Sequence, residues 1–164
     1  PATVLEKKAH EVKNIDKSLK SFVNNMFDTM YKNNGVGLAA PQVNESLQVI
    51  VMDCSSKNKE SNPRVLLNPK IINQSDTCKE YEEGCLSFPD HYFSISRPDS
   101  LNVKFLDLEG NKKETFFSGF EAVCVQHEID HLSGTLFTSY ISRLKRQIIL
   151  KKMQKFKKNI NKSI

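Results

Sequence analysis

Apolar side chains at Ile15, Leu19, Phe22, Val23, Met26 and Met30 recur at helical spacing with polar residues between them, which predicts a core-facing amphipathic helix over 15–31. Asn33-Asn34-Gly35 supplies its stop. The pattern then changes period. Runs at 47–53 and 64–68 read as strands, separated by the polar loop Ser55-Ser56-Lys57-Asn58. Residues 101–108 alternate, turn at Glu109-Gly110-Asn111 and return through 112–117, the pattern of a hairpin. Helical spacing resumes from Phe120 to about Leu132, with Val123, Cys124 and His127 on neighbouring rows and Gly134 placed as a C-cap. A last helix is predicted over 142–158, aligning Leu144, Ile148, Ile149, Met153 and Phe156 on one broad face. Helices at both ends, with strands and one interior helix between them, predict an α+β fold: antiparallel sheets around the central helix that carries His127 and His131.

Composition narrows the class. A length of 164 residues with 38% hydrophobic content suits a single domain over 1–164. No apolar run approaches the roughly 20 residues of a membrane span, so a soluble protein with no membrane partner is expected. Cys54, Cys78, Cys85 and Cys124 are scattered without a CxxC pair, which argues against a disulfide scaffold and for a reducing interior. The net charge of +5 owes much to the tail from Lys145 to Lys162. That is the mark of a solvated helix face, or at most of weak attraction to the ribosome, with no specific DNA binding. The chain begins at Pro1 without an initiator Met, so two compartments stay open: a bacterial cytoplasm, or an organelle interior after removal of a leader.

Three segments carry chemistry. His127-Glu128-Ile129-Asp130-His131 is an HExxH sequence, and a helix turning 100° per residue brings its two histidines onto one face. Two imidazoles can then reach one ion, with Glu128 beside it to take a proton from water. A catalytic site commonly has a third protein ligand and one position left for water. Cys85 in Glu83-Gly84-Cys85-Leu86-Ser87 is the leading candidate, with Cys124, one turn before His127, as its rival. The third segment, Gly35-Val36-Gly37-Leu38-Ala39-Ala40-Pro41-Gln42, permits close backbone approach and ends in an amide able to donate to an oxyanion. It lacks the Lys-Ser/Thr ending of a phosphate loop.

These segments, GVGLAAPQ at 35–42, EGCLS at 83–87 and QHEIDHL at 126–132, resemble the three motifs of peptide deformylases in order and separation. The similarity extends through the early helix, Arg97-Pro98, the hairpin and Gly134-Thr135-Leu136-Phe137, covering most of the chain. The resemblance implies a metal-dependent hydrolase that removes the formyl group from N-formylmethionyl ends of nascent peptides and releases formate. Cys85, His127 and His131 would ligate one divalent ion, Fe(II) in the cell, with zinc, nickel or cobalt in a preparation. Glu128 would act as general base and then acid, and Gln42 with the backbone N–H of Leu86 would stabilise the oxyanion. The methionine pocket would comprise Val36, Tyr81, Phe120, Val123, Cys124 and the apolar part of Glu83, with an aliphatic residue common in the family where Tyr81 and Phe120 stand. Gly37 and the surroundings of Gly84 would offer backbone groups to an extended peptide. Glu83 and Arg97 would pair to brace the Cys85 loop, a pairing worth little if exposed.

Two other readings share parts of this pattern. HExxH also occurs in zinc endopeptidases, which more often draw the third ligand from a downstream Glu or His. The other is non-catalytic, a structural metal site or a ribosome-associated binding domain using the basic tail; a closed structural site would want four protein ligands, and three are evident.

Overall fold

The structure, a computed structural model, describes residues 3–55, 60–149 and 151. A five-stranded antiparallel sheet has the order β1 (Gly37–Ala39), β2 (Val49–Met52), β3 (Arg64–Gln74), β6 (Ser100–Leu106) and β7 (Lys112–Ser118). A separate antiparallel hairpin pairs β4 (Cys78–Cys85) with β5 (Phe88–Pro98). Helix α1 spans Lys17–Lys32 and α2 spans Gly119–Ser133, so the α+β architecture expected from the sequence is the one found.

β2 explains how the layers stack. Successive strand residues point to opposite faces, yet all four residues of Val-Ile-Val-Met are buried. Ile50 and Met52 pack with Ala122, Cys124, Val125 and Leu132 of α2. Val49 and Val51 pack with Leu19, Val23, Met26 and Met30 of α1. The sheet is thus covered on both faces, which is why β2 reads as a continuous apolar run rather than an alternation.

Both main helices have the caps their sequences call for. The Asp16 carboxylate accepts from the N–H of Leu19 at 2.8 Å, which relieves an unpaired donor in the first turn of α1. Gly134 ends α2 at φ 78°, a left-handed conformation that costs glycine little. An alanine there would also bring its Cβ to 2.9 Å from the Glu6 carbonyl.

Several boundaries differ from the sequence reading for identifiable reasons. β3 runs past residue 68 to Gln74, after a bulge at Asn68, which has φ 51°. The Asn68 amide donates to the Val12 carbonyl and accepts from the Val12 N–H, so the irregularity is held by side-chain hydrogen bonds. The sequence pattern does not predict the hairpin of β4 and β5, because β4 is Cys-Lys-Glu-Tyr-Glu-Glu-Gly-Cys, charged and largely exposed. At the C-terminus, residues 143–149 are helical, but Ile149 is buried while Leu144 and Ile148 are exposed. Among the described residues of that face, Ile149 points well away from the exposed Leu144–Ile148 row, at 100° per residue. Met153, Phe156 and the lysines beyond residue 151 lie outside the described residues. Among those described, no helix is long and apolar enough to cross a membrane.

Asp53, at the end of β2, gathers the loop that follows. Its carboxylate accepts from the hydroxyls of Ser55 (2.6 Å), Ser61 (2.6 Å) and Tyr31 (2.9 Å) and from the N–H of Ser55 (3.0 Å). Burial pushes its pKa up, but the hydrogen bonds from Ser55, Ser61 and Tyr31 outweigh that and hold it well below the usual carboxylate range. Asp53→Ala should destabilise the fold by about 2–3 kcal/mol at pH 7, since several donors lose a charged acceptor. A group whose folded pKa is depressed stabilises fully above its unfolded value. The gap between variant and wild type in urea denaturation should therefore shrink below about pH 4 and close as pH falls through the folded value. A gap independent of pH would refute the role given to the ionised carboxylate.

Candidate active site

Cys85 lies at the end of β4, where a register shift after Gly84 turns the strand toward α2. His127 and His131 come from successive turns of α2, with ring centroids 5.0 Å apart. One ring nitrogen from each and the Cys85 sulfur all lie within 4.8 Å of one another, and Cys85 Sγ is 3.3 Å from His131 Nε2. Among the described residues, this is the one cluster of three or more such groups close enough to share an ion.

The surroundings favour a cation. His127 donates its Nδ1–H to Glu83 Oε2 at 2.9 Å, leaving Nε2 for the ion, the usual support for a ligating imidazole. Burial opposes a positive charge on His127, yet Cys85, Glu83 and Glu128 outweigh it and raise its pKa to about 10. The negative surroundings that draw a proton there would draw a divalent ion in its place. His131 is held neutral: burial, then the charges of His127 and Arg97, lower its pKa to about 3. One soft thiolate and two imidazoles suit zinc, iron, cobalt or nickel, so the residues fit a bound transition metal.

Glu128 sits beside this cluster without joining it. Burial, reinforced by the charges of Asp130 and Glu83 and opposed by His127 and Arg97, lifts its pKa to about 7. Its Oε2 is buried with no hydrogen-bond partner among the described residues. A carboxyl group poised near neutrality suits proton transfer. Gln42 is also fixed: its Oε1 accepts from the Ala39 N–H at 2.8 Å, while its Nε2 is 3.3 Å from Ser87 Oγ and 3.7 Å from Cys85 Sγ.

A cavity of about 620 Å³ opens over these groups. Its lining includes Val36, Gly37, Gln42, Glu83, Cys85 and Leu86, together with Phe120, Val123, Cys124, His127 and Glu128 from α2. Phe120 is 54% exposed, so it stands at the mouth rather than the floor. Tyr81 is not part of the wall. It lies two residues along β4 from Glu83, roughly 7 Å further on, and its hydroxyl donates to Asp99. Glu83 does line the cavity, but its carboxylate is engaged by Arg97 and His127. Its pairing with Arg97 is deeply buried, the two residues being 5% and 4% exposed, so the low value expected of an exposed pair does not apply. Breaking such a pair by removing one partner typically costs about 3–5 kcal/mol.

Tyr92 and His91 also line the cavity and escaped the sequence reading. Tyr92, 65% exposed, stands opposite Gly84, and a Cβ at Gly84 would meet its ring at 2.7 Å. Only the register of the β4–β5 hairpin brings them together. Gly37 has an equally tight role, for a Cβ there would lie 2.6 Å from Glu128 Oε1 and 2.8 Å from Cys124 Sγ. Gly37→Ala should fold, because both obstructions are side-chain ends, yet displace the Glu128 carboxyl. A shift of about 1 Å can cost about 10²-fold in rate. We expect a loss of that order in kcat with metal content unchanged; wild-type kcat would show that Glu128 does not depend on the space at Gly37.

A family model for polypeptide deformylase matches residues 1–147. The chain belongs to this family. A peptide deformylase of Maricaulis maris is 45% identical over 159 residues, covering 97% of this chain and 91% of that protein. The crystal structure of peptide deformylase from Ehrlichia chaffeensis superposes with a TM-score of 0.92 at 36% identity, covering 97% of this chain and 94% of that one. A second structure of the Ehrlichia protein, in complex with actinonin, gives 0.90 at 38% identity, covering 94% of this chain and 92% of that one. The matched span contains all three motifs and every cavity-lining residue named above.

Proposed function

We propose that this chain removes the formyl group from N-formylmethionyl ends of newly made polypeptides, releasing formate, as one catalytic domain spanning 1–164. The observation that supports this most strongly is the Cys85–His127–His131 cluster beside a buried Glu128, under an open cavity, in a chain of the deformylase family. Cys85, His127 and His131 would hold one divalent ion, Fe(II) in the cell and zinc, nickel or cobalt in a preparation. When bound, such an ion acidifies water and polarises the formyl oxygen. Glu128 takes the proton that the attacking water gives up and passes it to the departing amine nitrogen. Gln42 Nε2–H and the Leu86 backbone N–H donate to the formyl oxygen as it gains charge. Val36, Phe120, Val123 and Cys124 receive the methionine side chain, an unbranched thioether that suits an irregular apolar wall. The lysine-rich tail would add weak attraction to ribosomal RNA.

Formate release from formyl-Met-Ala-Ser, compared with acetate release from its acetyl analogue and set against bound-metal content, tests this reading. Turnover of the formyl peptide alone is expected, proportional to metal. Cleavage at internal peptide bonds would instead favour an endopeptidase. Bound metal without turnover of either peptide would favour a structural site.

A further inference from the structure

Beyond the residues that would meet metal or substrate, the ion network behind His127 ends in an aromatic residue with no role in the reading above. Arg97 lies between two carboxylates. Its Nε and Nη2 donate to Glu83, and its Nη1 donates to Asp130 Oδ2 at 2.9 Å. Glu83 Oε2, which accepts from Arg97 Nη2, also accepts from His127 Nδ1. The orientation of His127 thus depends on where Arg97 holds Glu83.

Tyr140 touches this network at two points. It closes the short 3-10 turn Phe137–Tyr140 that follows α2. The Arg97 guanidinium carbon lies 4.9 Å from the Tyr140 ring centroid, in cation–π range. The Tyr140 hydroxyl donates at 2.8 Å to Asp130 Oδ2, the oxygen that also accepts from Arg97 Nη1. Arg97 is 4% exposed while Tyr140 is 47% exposed, so the ring stands between the buried network and water. Without that cover, water would hydrate the guanidinium and screen its hold on Glu83.

We propose that Tyr140 is a positioning residue for the metal centre: its ring and hydroxyl hold Arg97 and Asp130 in place, keep Glu83 aimed at His127 Nδ1, and so set how tightly the metal is retained. This rests on Cys85, His127 and His131 being the ligands. Carboxylates that directly support a ligating histidine typically account for about 10–100-fold in metal affinity. Tyr140, two residues further out through Arg97, should account for no more than the low end of that range.

The test uses the full chain loaded with zinc, with affinity measured by competition against a chelator. Tyr140→Phe, which keeps the ring and loses the hydroxyl, should raise the zinc dissociation constant about 3-fold, and Tyr140→Leu about 10-fold. Ser139→Ala, at the exposed neighbour, should change nothing. In a Glu83→Gln background, where the link to His127 is already weakened, Tyr140→Leu should have little further effect. Full additivity of the two substitutions would overturn the proposal, because a general structural loss does not depend on Glu83. Wild-type affinity in both Tyr140 variants, with tight binding by the wild type, would overturn the role of Tyr140 alone. A wild-type chain that binds no zinc would overturn both this role and the ligand assignment.

Discussion

Glu128→Ala is expected to keep its metal and to lose formate release by roughly 10²–10⁴-fold, the usual contribution of a general acid–base group. Two features of the site set this expectation. The carboxyl group is one residue from His127, yet it stands apart from the cluster of three ligand atoms. Its Oε2 is also buried with no hydrogen-bond partner among the described residues. Removing the side chain would therefore take away the proposed proton carrier while leaving Cys85, His127 and His131 in place. Glu128→Gln would keep the volume and remove the basicity, and should be nearly as slow as the alanine variant. Metal analysis with single-turnover measurement of formyl-Met-Ala-Ser gives the answer. An alanine variant with wild-type turnover would take Glu128 out of the mechanism, and one without metal would make it a ligand or a structural prop.

The parts of this molecule that were legible in the sequence are those in which a local pattern carries the information. α1 has a spacing of 3.6 and an Asn-Asn-Gly stop, and both are local. The HExxH segment places two histidines on one face as soon as the helix is granted, and Gly134 marks its end. β6 and β7 announce themselves by alternation and a Glu-Gly-Asn turn, and their register joins residues 100–106 to 112–118 without a slip.

What stayed hidden depends on pairing between distant segments. β1 is Gly-Leu-Ala, too short and too small to show a period, and only pairing with β2 makes it a strand. The charged residues of β4 argue against a strand, and burial of Glu83 becomes intelligible only once Arg97 and His127 are seen beside it. Tyr92, to which the sequence pattern assigns no role, stands in the cavity wall where Tyr81 is expected. Tyr81, near the EGCLS motif in sequence, reaches Asp99, whereas Tyr92, across the hairpin, reaches the cavity. Proximity in sequence misleads here because the strand carries its residues away from the site at about 3.3 Å per step.

Cys85→Ala should abolish tight metal binding and, with it, turnover, whereas Cys124→Ala should keep the metal and alter mainly the fit of the methionine side chain. Burial does not separate the two thiols, since both are buried and both line the cavity. Direction does. Cys85 Sγ faces His131 Nε2 at 3.3 Å, while Cys124 Sγ faces the Val36 carbonyl at 3.6 Å. A hydrogen bond with the Cys54 thiol, followed by burial, raises the Cys124 pKa well above the ordinary thiol value, so this sulfur stays protonated and a poor ligand. Losing Cys85 removes the single anionic, soft ligand and leaves two neutral imidazoles to hold a divalent ion. Losing Cys124 leaves a small void against Gly37 and Val123, which should raise KM for formyl-Met peptides more than it lowers kcat. Iron held by a thiolate that lines an open cavity would also be open to oxygen, so anaerobic Fe(II) enzyme should surpass the same enzyme handled in air, with nickel less sensitive. Metal stoichiometry and formyl-Met-Ala-Ser turnover, both after anaerobic reconstitution, separate the cysteines. If Cys85→Ala bound metal and turned over like the wild type while Cys124→Ala lost both, the third ligand would be Cys124, and α2 alone would supply the whole metal site.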